Sequence, residues 1–239
     1  INTMTTAETV KLRTIKHSLK ESLATINDML SDNATAPPVK PPVASYDGKV
    51  AICVGHSRNG DKGAQSMGGV SEWDWNSTVA SMLKTELDDS GIECFIVDHY
   101  EGGTYGAAMT WAGDHLRSKG ATLAIELHFN AASSSAKGYE YLYWHSSKEG
   151  QKLADSFISA QKNLNTPSPS RGAKPADGGD RGSGFLSKTP CPAIICEPFF
   201  GSNADEWGYW ADRAGTLADV YANAIINHLG CNTEIISES

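Results

Sequence analysis

Along most of this chain, short runs of consecutive apolar residues alternate with stretches in which apolar positions recur every three or four residues. The runs Lys49-Val50-Ala51-Ile52-Cys53-Val54, Ala121-Thr122-Leu123-Ala124-Ile125-Glu126-Leu127 and Ala193-Ile194-Ile195-Cys196 are too short for helices and rich in β-branched residues. They predict strands buried on both faces. Residues 92–98 and 138–143 are predicted as two more strands. A helix is predicted to start at Glu72, to bury Val79, Leu83 and Leu87, and to stop at Gly91, a residue suited to ending a helix. Further helices are predicted over 107–119 and 148–164, and in a C-terminal region where Trp210, Ala214, Leu217, Tyr221, Ala224 and His228 share a face. Strands alternating with helices imply an α/β fold, a sheet with helices on both sides.

A different pattern precedes this region. Over residues 5–31 the positions Leu12, Ile15, Leu19, Leu23, Ile26 and Leu30 form an apolar stripe and predict an N-terminal amphipathic helix. Read as heptads the seam is short and broken by Ser22, so the stripe suits intramolecular docking on the main domain and self-association equally. Pro37-Pro38 and Pro41-Pro42 then mark an extended linker. The expected organisation is a helix at 1–33, a Pro-rich linker at 34–46, one main domain at 47–230 and a tail at 231–239. Residues 165–182, rich in Pro, Gly and Ser, are expected to form a long loop, and loops of that length are usually functional.

Composition narrows the partners. The chain has 239 residues and a net charge of −8; its first 46 residues hold five Lys and Arg against four Asp and Glu, so the negative charge lies on the remainder. Neutralising phosphates needs clustered Lys and Arg, which argues against a nucleic-acid partner. Five cysteines without regular spacing do not form a disulfide framework. No apolar run reaches the length of a transmembrane helix, and the start lacks the basic-then-apolar pattern of a signal peptide.

Four residues carry candidate chemistry. His56, Glu72 and His128 are three ligands of the nitrogen and carboxylate type that a catalytic Zn2+ takes, leaving one position open. Glu197 is the free carboxylate that such a site needs to move protons. Their separations of sixteen, fifty-six and sixty-nine residues exclude a local helical motif, so the fold must assemble them. His56, His128 and Glu197 each follow or end a predicted strand, and the crevice at the carboxyl ends of strands is where open α/β sheets bind ligands. For Glu72 the competing reading is an acid at a helix N-terminus, worth under about 1 kcal/mol. Glu197 lies between an apolar strand and Pro198-Phe199-Phe200, where an unpaired ionised carboxylate is costly to bury. Glu126 precedes His128 by two, so on a strand both point to one face. It is expected either to orient a ligand or accept a substrate hydrogen bond, or to pair with a nearby Lys or Arg.

Several blocks occur in a telling order: Gly55-His56 with Asp61-Lys62-Gly63-Ala64, Glu72 with Asn76 one turn on, His128-Phe129-Asn130-Ala131, Gly138-Tyr139-Glu140, Arg171-Gly172, Pro192-Ala193-Ile194-Ile195-Cys196-Glu197-Pro198-Phe199-Phe200 and Ser202-Asn203. From Lys49 to about Trp210 the chain resembles the zinc-dependent N-acetylmuramoyl-L-alanine amidases of the amidase 3 type, found in bacterial autolysins and phage lysins. The resemblance implies a twisted, mostly parallel sheet of about six strands. It matches His56, Glu72 and His128 to the family's zinc ligands and Glu197 to its catalytic glutamate. The implied reaction is hydrolysis of the amide between N-acetylmuramic acid and L-alanine of the peptidoglycan stem peptide, at the cell wall, whether periplasmic, extracellular or carried by a phage particle. Asn130, Arg171, Lys174 and Arg181 are then candidate substrate contacts, because stem peptides bear carboxylates and the guanidinium fork suits them. The sequence departs from the family pattern twice. Glu126 stands where a serine is usual, and Asp98-His99-Tyr100 replaces an arginine after the second strand. The alternatives are another zinc peptidase or amidase acting on wall peptides, and a wall-binding module that keeps the fold without activity.

Overall fold

The computed structural model describes residues 46–180 and 182–230. The N-terminal stripe, most of the linker, Arg181 and the C-terminal tail lie outside the described residues. Six strands form one sheet, β1 (Lys49–Val54), β2 (Cys94–Val97), β3 (Ala121–Leu127), β4 (Tyr139–Trp144), β5 (Ser170–Ala176) and β6 (Ala193–Glu197), in the order β2-β1-β3-β6-β4-β5. Pairing is parallel from β2 to β6, antiparallel between β6 and β4, and parallel again between β4 and β5.

The three apolar runs become the central strands β1, β3 and β6, buried on both faces as continuous hydrophobicity requires. β4 alternates instead. Tyr139, Tyr141 and Tyr143 point into the larger core, while Glu140, Leu142 and Trp144 are half-buried on the other face.

Helices cover both sides. α1 (Glu72–Asp89), α3 (Lys148–Lys162), α5 (Ala204–Trp210) and α6 (Ala214–His228) build the larger core with Trp75, Val79, Leu83, Leu87, Phe157, Trp210 and Tyr221. On the opposite face α2 (Tyr105–Lys119) and the short α4 (Ser183–Lys188) supply Met109, Leu116, Phe185 and Leu186. Their termini follow capping chemistry. Ser71 caps α1 by accepting from the Asp74 N–H, Thr104 caps α2 by accepting from Ala107, and Gly91 sits at φ 74° just past the end of α1.

Several sequence expectations are corrected. Residues 165–182 are not one loop, since they contain β5, and with it the sheet reaches six strands. Its sequence, Ser170-Arg171-Gly172-Ala173-Lys174-Pro175-Ala176, lacks apolar alternation because only Ala176 is buried and the other residues are half-buried or exposed. Pro175 is tolerated there because an edge strand pairs on one side only. The short α4 adds a helix without a predicted counterpart, the C-terminal helical region consists of two helices, and α2 begins two residues before the predicted start.

One buried carboxylate fastens the chain beneath the strand ends. Glu206, fully buried on α5, accepts the Gly138 N–H at 2.7 Å through one oxygen and the Phe200 N–H at 2.6 Å through the other. It joins the entry to β4 to the exit from β6. Glu206→Ala leaves both donors without a partner and should lower the unfolding free energy by about 3 kcal/mol, with Glu206→Gln losing less; urea denaturation measures both.

Candidate active site

The carboxyl ends of β1, β3 and β6 and the start of α1 converge. His56 follows β1 by two residues, His128 follows β3 by one, Glu197 ends β6, and Glu72 opens α1. The turn carrying His56 is held by the Gly55 N–H donated to Leu127 O at 2.9 Å, and the His128 N–H is donated to Cys196 O at 3.0 Å. His56 has φ 58°, the one positive φ outside glycine among the described residues. Such left-handed backbone in a residue with a Cβ costs about 1–2 kcal/mol and persists only where surrounding contacts impose it.

Those contacts centre on Glu72, which is 3 % exposed. Its Oε1 lies 2.8 Å from His128 Nδ1 and accepts the Phe129 N–H at 3.3 Å. Its Oε2 lies 3.3 Å from His56 Nε2 and accepts the Ala64 N–H at 3.0 Å. The other nitrogen of each imidazole meets an outer carboxylate. His56 Nδ1 is 3.0 Å from Asp61 Oδ1, and His128 Nε2 is 3.2 Å from Glu126 Oε2. Burial would raise the Glu72 carboxyl, but the hydrogen bonds from His128 and His56 outweigh it and hold Glu72 down at about 2. Burial works against charge on both histidines as well, and the neighbouring carboxylates more than reverse it, raising His56 and lifting His128 well above its ordinary value.

His56, Glu72 and His128 each offer a ligand atom, and these atoms lie within 4.8 Å of one another. Two imidazoles and one carboxylate fit a catalytic zinc, whereas calcium and magnesium take oxygen donors. The backbone around them admits no added bulk. A Cβ on Gly55 would stand 2.3 Å from the His128 ring, and one on Gly63 would stand 2.6 Å from the His56 ring and 2.7 Å from Glu72 Oε2.

Glu197 stands beside this cluster, one register step beyond the paired residues Leu127 and Cys196 and directly opposite Glu140 on β4. Its Oε2 is sealed from solvent without a hydrogen-bond partner. Burial raises its carboxyl to about 8; His128 pulls against that rise, and the charges of Glu72 and Glu140 add to it.

The remaining sequence candidates separate. Asn130 donates to Glu140 Oε1 at 3.0 Å, and Arg171 donates to Glu140 Oε2 at 2.9 Å while lying over the Phe200 ring. Arg171 is therefore an ion-paired residue on a strand rather than a loop cation. It is the extra residue where pairing shifts from Tyr139↔Ser170 to Glu140↔Gly172, and such an irregularity re-aims a side chain. Lys174 is exposed opposite Leu142, farther along β4 from Glu197. Glu126 faces His128 and accepts the Tyr100 hydroxyl at 2.8 Å; among the described residues it pairs with no Lys or Arg. The two departures from the family pattern, Glu126 and the segment ending in Tyr100, thus touch each other. Asp61, Tyr100 and Glu140 shape the site without having been singled out. Asp61 and Glu140 stand in the family blocks and Tyr100 in the Asp98-His99-Tyr100 segment that departs from the family pattern, but no local pattern gave the Tyr100 partner.

A family model described as N-acetylmuramoyl-L-alanine amidase matches residues 50–227. Solved structures share the fold. An N-acetylmuramoyl-L-alanine amidase from Clostridium difficile 630 has a TM-score of 0.67 at 22% identity, over 79% of this chain and 100% of its own. AmiC2, an N-acetylmuramoyl-L-alanine amidase of Nostoc punctiforme, has a TM-score of 0.65 at 21% identity, over 78% and 99%. The catalytic domain of the CD27L endolysin targeting Clostridia Difficile has 0.63 at 24%, over 75% and 97%. No curated protein sequence matches the chain. Since the family match runs from β1 into α6 and takes in the sheet with all four clustered residues, the chain belongs to the N-acetylmuramoyl-L-alanine amidases, peptidoglycan hydrolases that act at the cell wall.

Proposed function

We propose that the chain is a zinc-dependent amidase in which His56, Glu72 and His128 hold the metal and Glu197 moves the protons. The observation that supports this most directly is the buried Glu72 carboxylate clasped between two strand-end imidazoles, with the unpartnered oxygen of Glu197 beside them. Zinc bound by such a set supplies Lewis acidity, polarising the scissile carbonyl and acidifying water to a pKa of about 7. The Glu197 carboxylate accepts a proton from the water that attacks the lactyl carbonyl of the muramoyl group. It returns that proton to the L-alanine nitrogen as the carbon–nitrogen bond breaks, leaving a free carboxylate and a free amine. A half-buried carboxyl whose pKa is raised toward the working pH suits both halves of that cycle.

Around this centre, Asn130 and Arg171 hold Glu140 opposite Glu197 and form one rim of the crevice. Arg171 and Lys174 place positive charge along the exposed edge strand, a match for stem-peptide carboxylates. Among the described residues no helix is long and apolar enough to cross a membrane. The substrate places the enzyme outside the cytoplasm, in the periplasm, in the medium or on a phage particle.

Four outcomes test this reading. Glu197→Gln keeps shape and removes the proton-carrying carboxyl, so turnover should fall by about 10²–10⁴-fold with zinc content and melting temperature preserved. Mass spectrometry of digested muropeptides, read for stem peptides that begin with free L-alanine, measures it, and wild-type turnover in the variant would overturn the role. Zinc removal should abolish that release. Zinc rebinding should free protons, because the histidines it must claim are raised and hold protons to higher pH than usual. Affinity therefore weakens as pH falls, which calorimetry in buffers of different ionisation enthalpy would show. Gly55→Ala pushes a methyl into the His128 ring and should lower turnover by about 10²-fold, as a misplacement near 1 Å does; the same muropeptide assay with a urea titration separates this from unfolding.

A further inference from the structure

Tyr100 lies in the connection from β2 to α2 and is 2 % exposed. Its backbone N–H is donated to Ser57 O at 2.8 Å, next to His56, and an isolated parallel bridge joins it to Arg58. Its hydroxyl is donated to Glu126 Oε1 at 2.8 Å, and the second oxygen of Glu126, itself 4 % exposed, lies 3.2 Å from His128 Nε2. One residue is thus attached by its main chain to the turn of the first histidine and by its side chain, through a carboxylate, to the second.

We propose that Tyr100 and Glu126 are positioning residues that fix the orientation and tautomer of His128 for a metal ion, an inference that rests on the ligand assignment above. The imidazole of His128 presents Nδ1 to Glu72 and Nε2 to Glu126. A carboxylate accepts but does not donate, so when a metal ion replaces the proton that Nδ1 shares with Glu72, Glu126 keeps the remaining proton on Nε2. The lone pair of Nδ1 is then free on the side where Glu72 offers its own oxygen. Glu126 does this only while its carboxylate is held in one rotamer, and the Tyr100 phenol, coming from another element, supplies that hold. Asp61 occupies the equivalent position on His56, through Nδ1, so the two histidines are oriented by acids from opposite sides of Glu72.

The full chain serves for the test, with zinc affinity measured by chelator competition and the absorption spectrum of the cobalt-substituted protein recorded alongside turnover. Tyr100→Phe retains the ring against Trp111 and removes only the hydroxyl. It should weaken zinc binding by about 10–100-fold and shift the cobalt bands in a chain that urea denaturation shows to be still cooperatively folded. Glu126→Gln places an amide N–H or carbonyl where the carboxylate stood; its amide can donate to Nε2 and so favour the tautomer that blocks Nδ1. It should weaken binding at least as much, and adding Tyr100→Phe to it should change nothing further, because both act through one hydrogen-bond path. Wild-type zinc affinity and cobalt spectrum in Tyr100→Phe, or additive losses in the double variant, would overturn the inference while leaving the ligand assignment standing. A wild-type chain that binds neither zinc nor cobalt would overturn both.

Discussion

The site depends on the burial of one negative charge. An ionised carboxylate removed from water is strongly unfavourable unless donors surround it, and Glu72 meets that requirement with two imidazoles and two backbone N–H groups. Each imidazole in turn faces an outer acid, Asp61 or Glu126. Carboxylate and imidazole alternate across the crevice, and the carboxylates favour the protonated form of both histidines. A dication placed among those three ligands substitutes for protons that the acids already favour, so the electrostatics of the fold and the chemistry of a metal point the same way.

Three of the four site residues, Glu72, His128 and Glu197, are tied to the same aromatic platform. Phe129 follows His128, Phe199 lies two residues after Glu197, and Trp75 lies three after Glu72. Their rings pack together, Trp75 with Phe199 at 5.0 Å and Phe129 with Phe199 at 5.6 Å between centroids. Trp210 stacks on Phe199 from α5, where Glu206 also clamps the chain on either side of the strand ends. Aromatic contacts of this kind add about 0.5–1.5 kcal/mol each beyond the area they bury. The larger core is thereby a foundation for the ligands. The opposite, thinner face carries Glu126 and Glu197, which by strand alternation share a side with Ala124 and Ile195 beneath α2 and α4.

Much of the fold was legible because local pattern and local environment agree. Continuous apolar runs become β1, β3 and β6, and the spaced apolar stripe Val79, Leu83 and Leu87 ending at Gly91 becomes α1. β5 was hidden because a strand with only Ala176 buried shows no apolar alternation, and α4 because six residues carry too little periodicity. Among the site candidates the same division holds. Glu126 was marked by its place two residues before His128, but its partner was left open between a ligand and a cation. Arg171 looked like a free loop cation until strand pairing set it against Glu140.

The sequence by itself determined the inventory: two histidines and a glutamate of zinc-ligand type, a further glutamate in an apolar setting, and strands whose ends carry three of the four. These follow from residue chemistry and short-range periodicity, which neighbours in the chain are sufficient to express. Only the tertiary structure decided which nitrogen of each histidine faces Glu72, that Glu197 has an oxygen without a partner, and that Tyr100 reaches His128 through Glu126. Those depend on distances between residues tens of positions apart, set by sheet order, register and side-chain packing, and no local pattern encodes them.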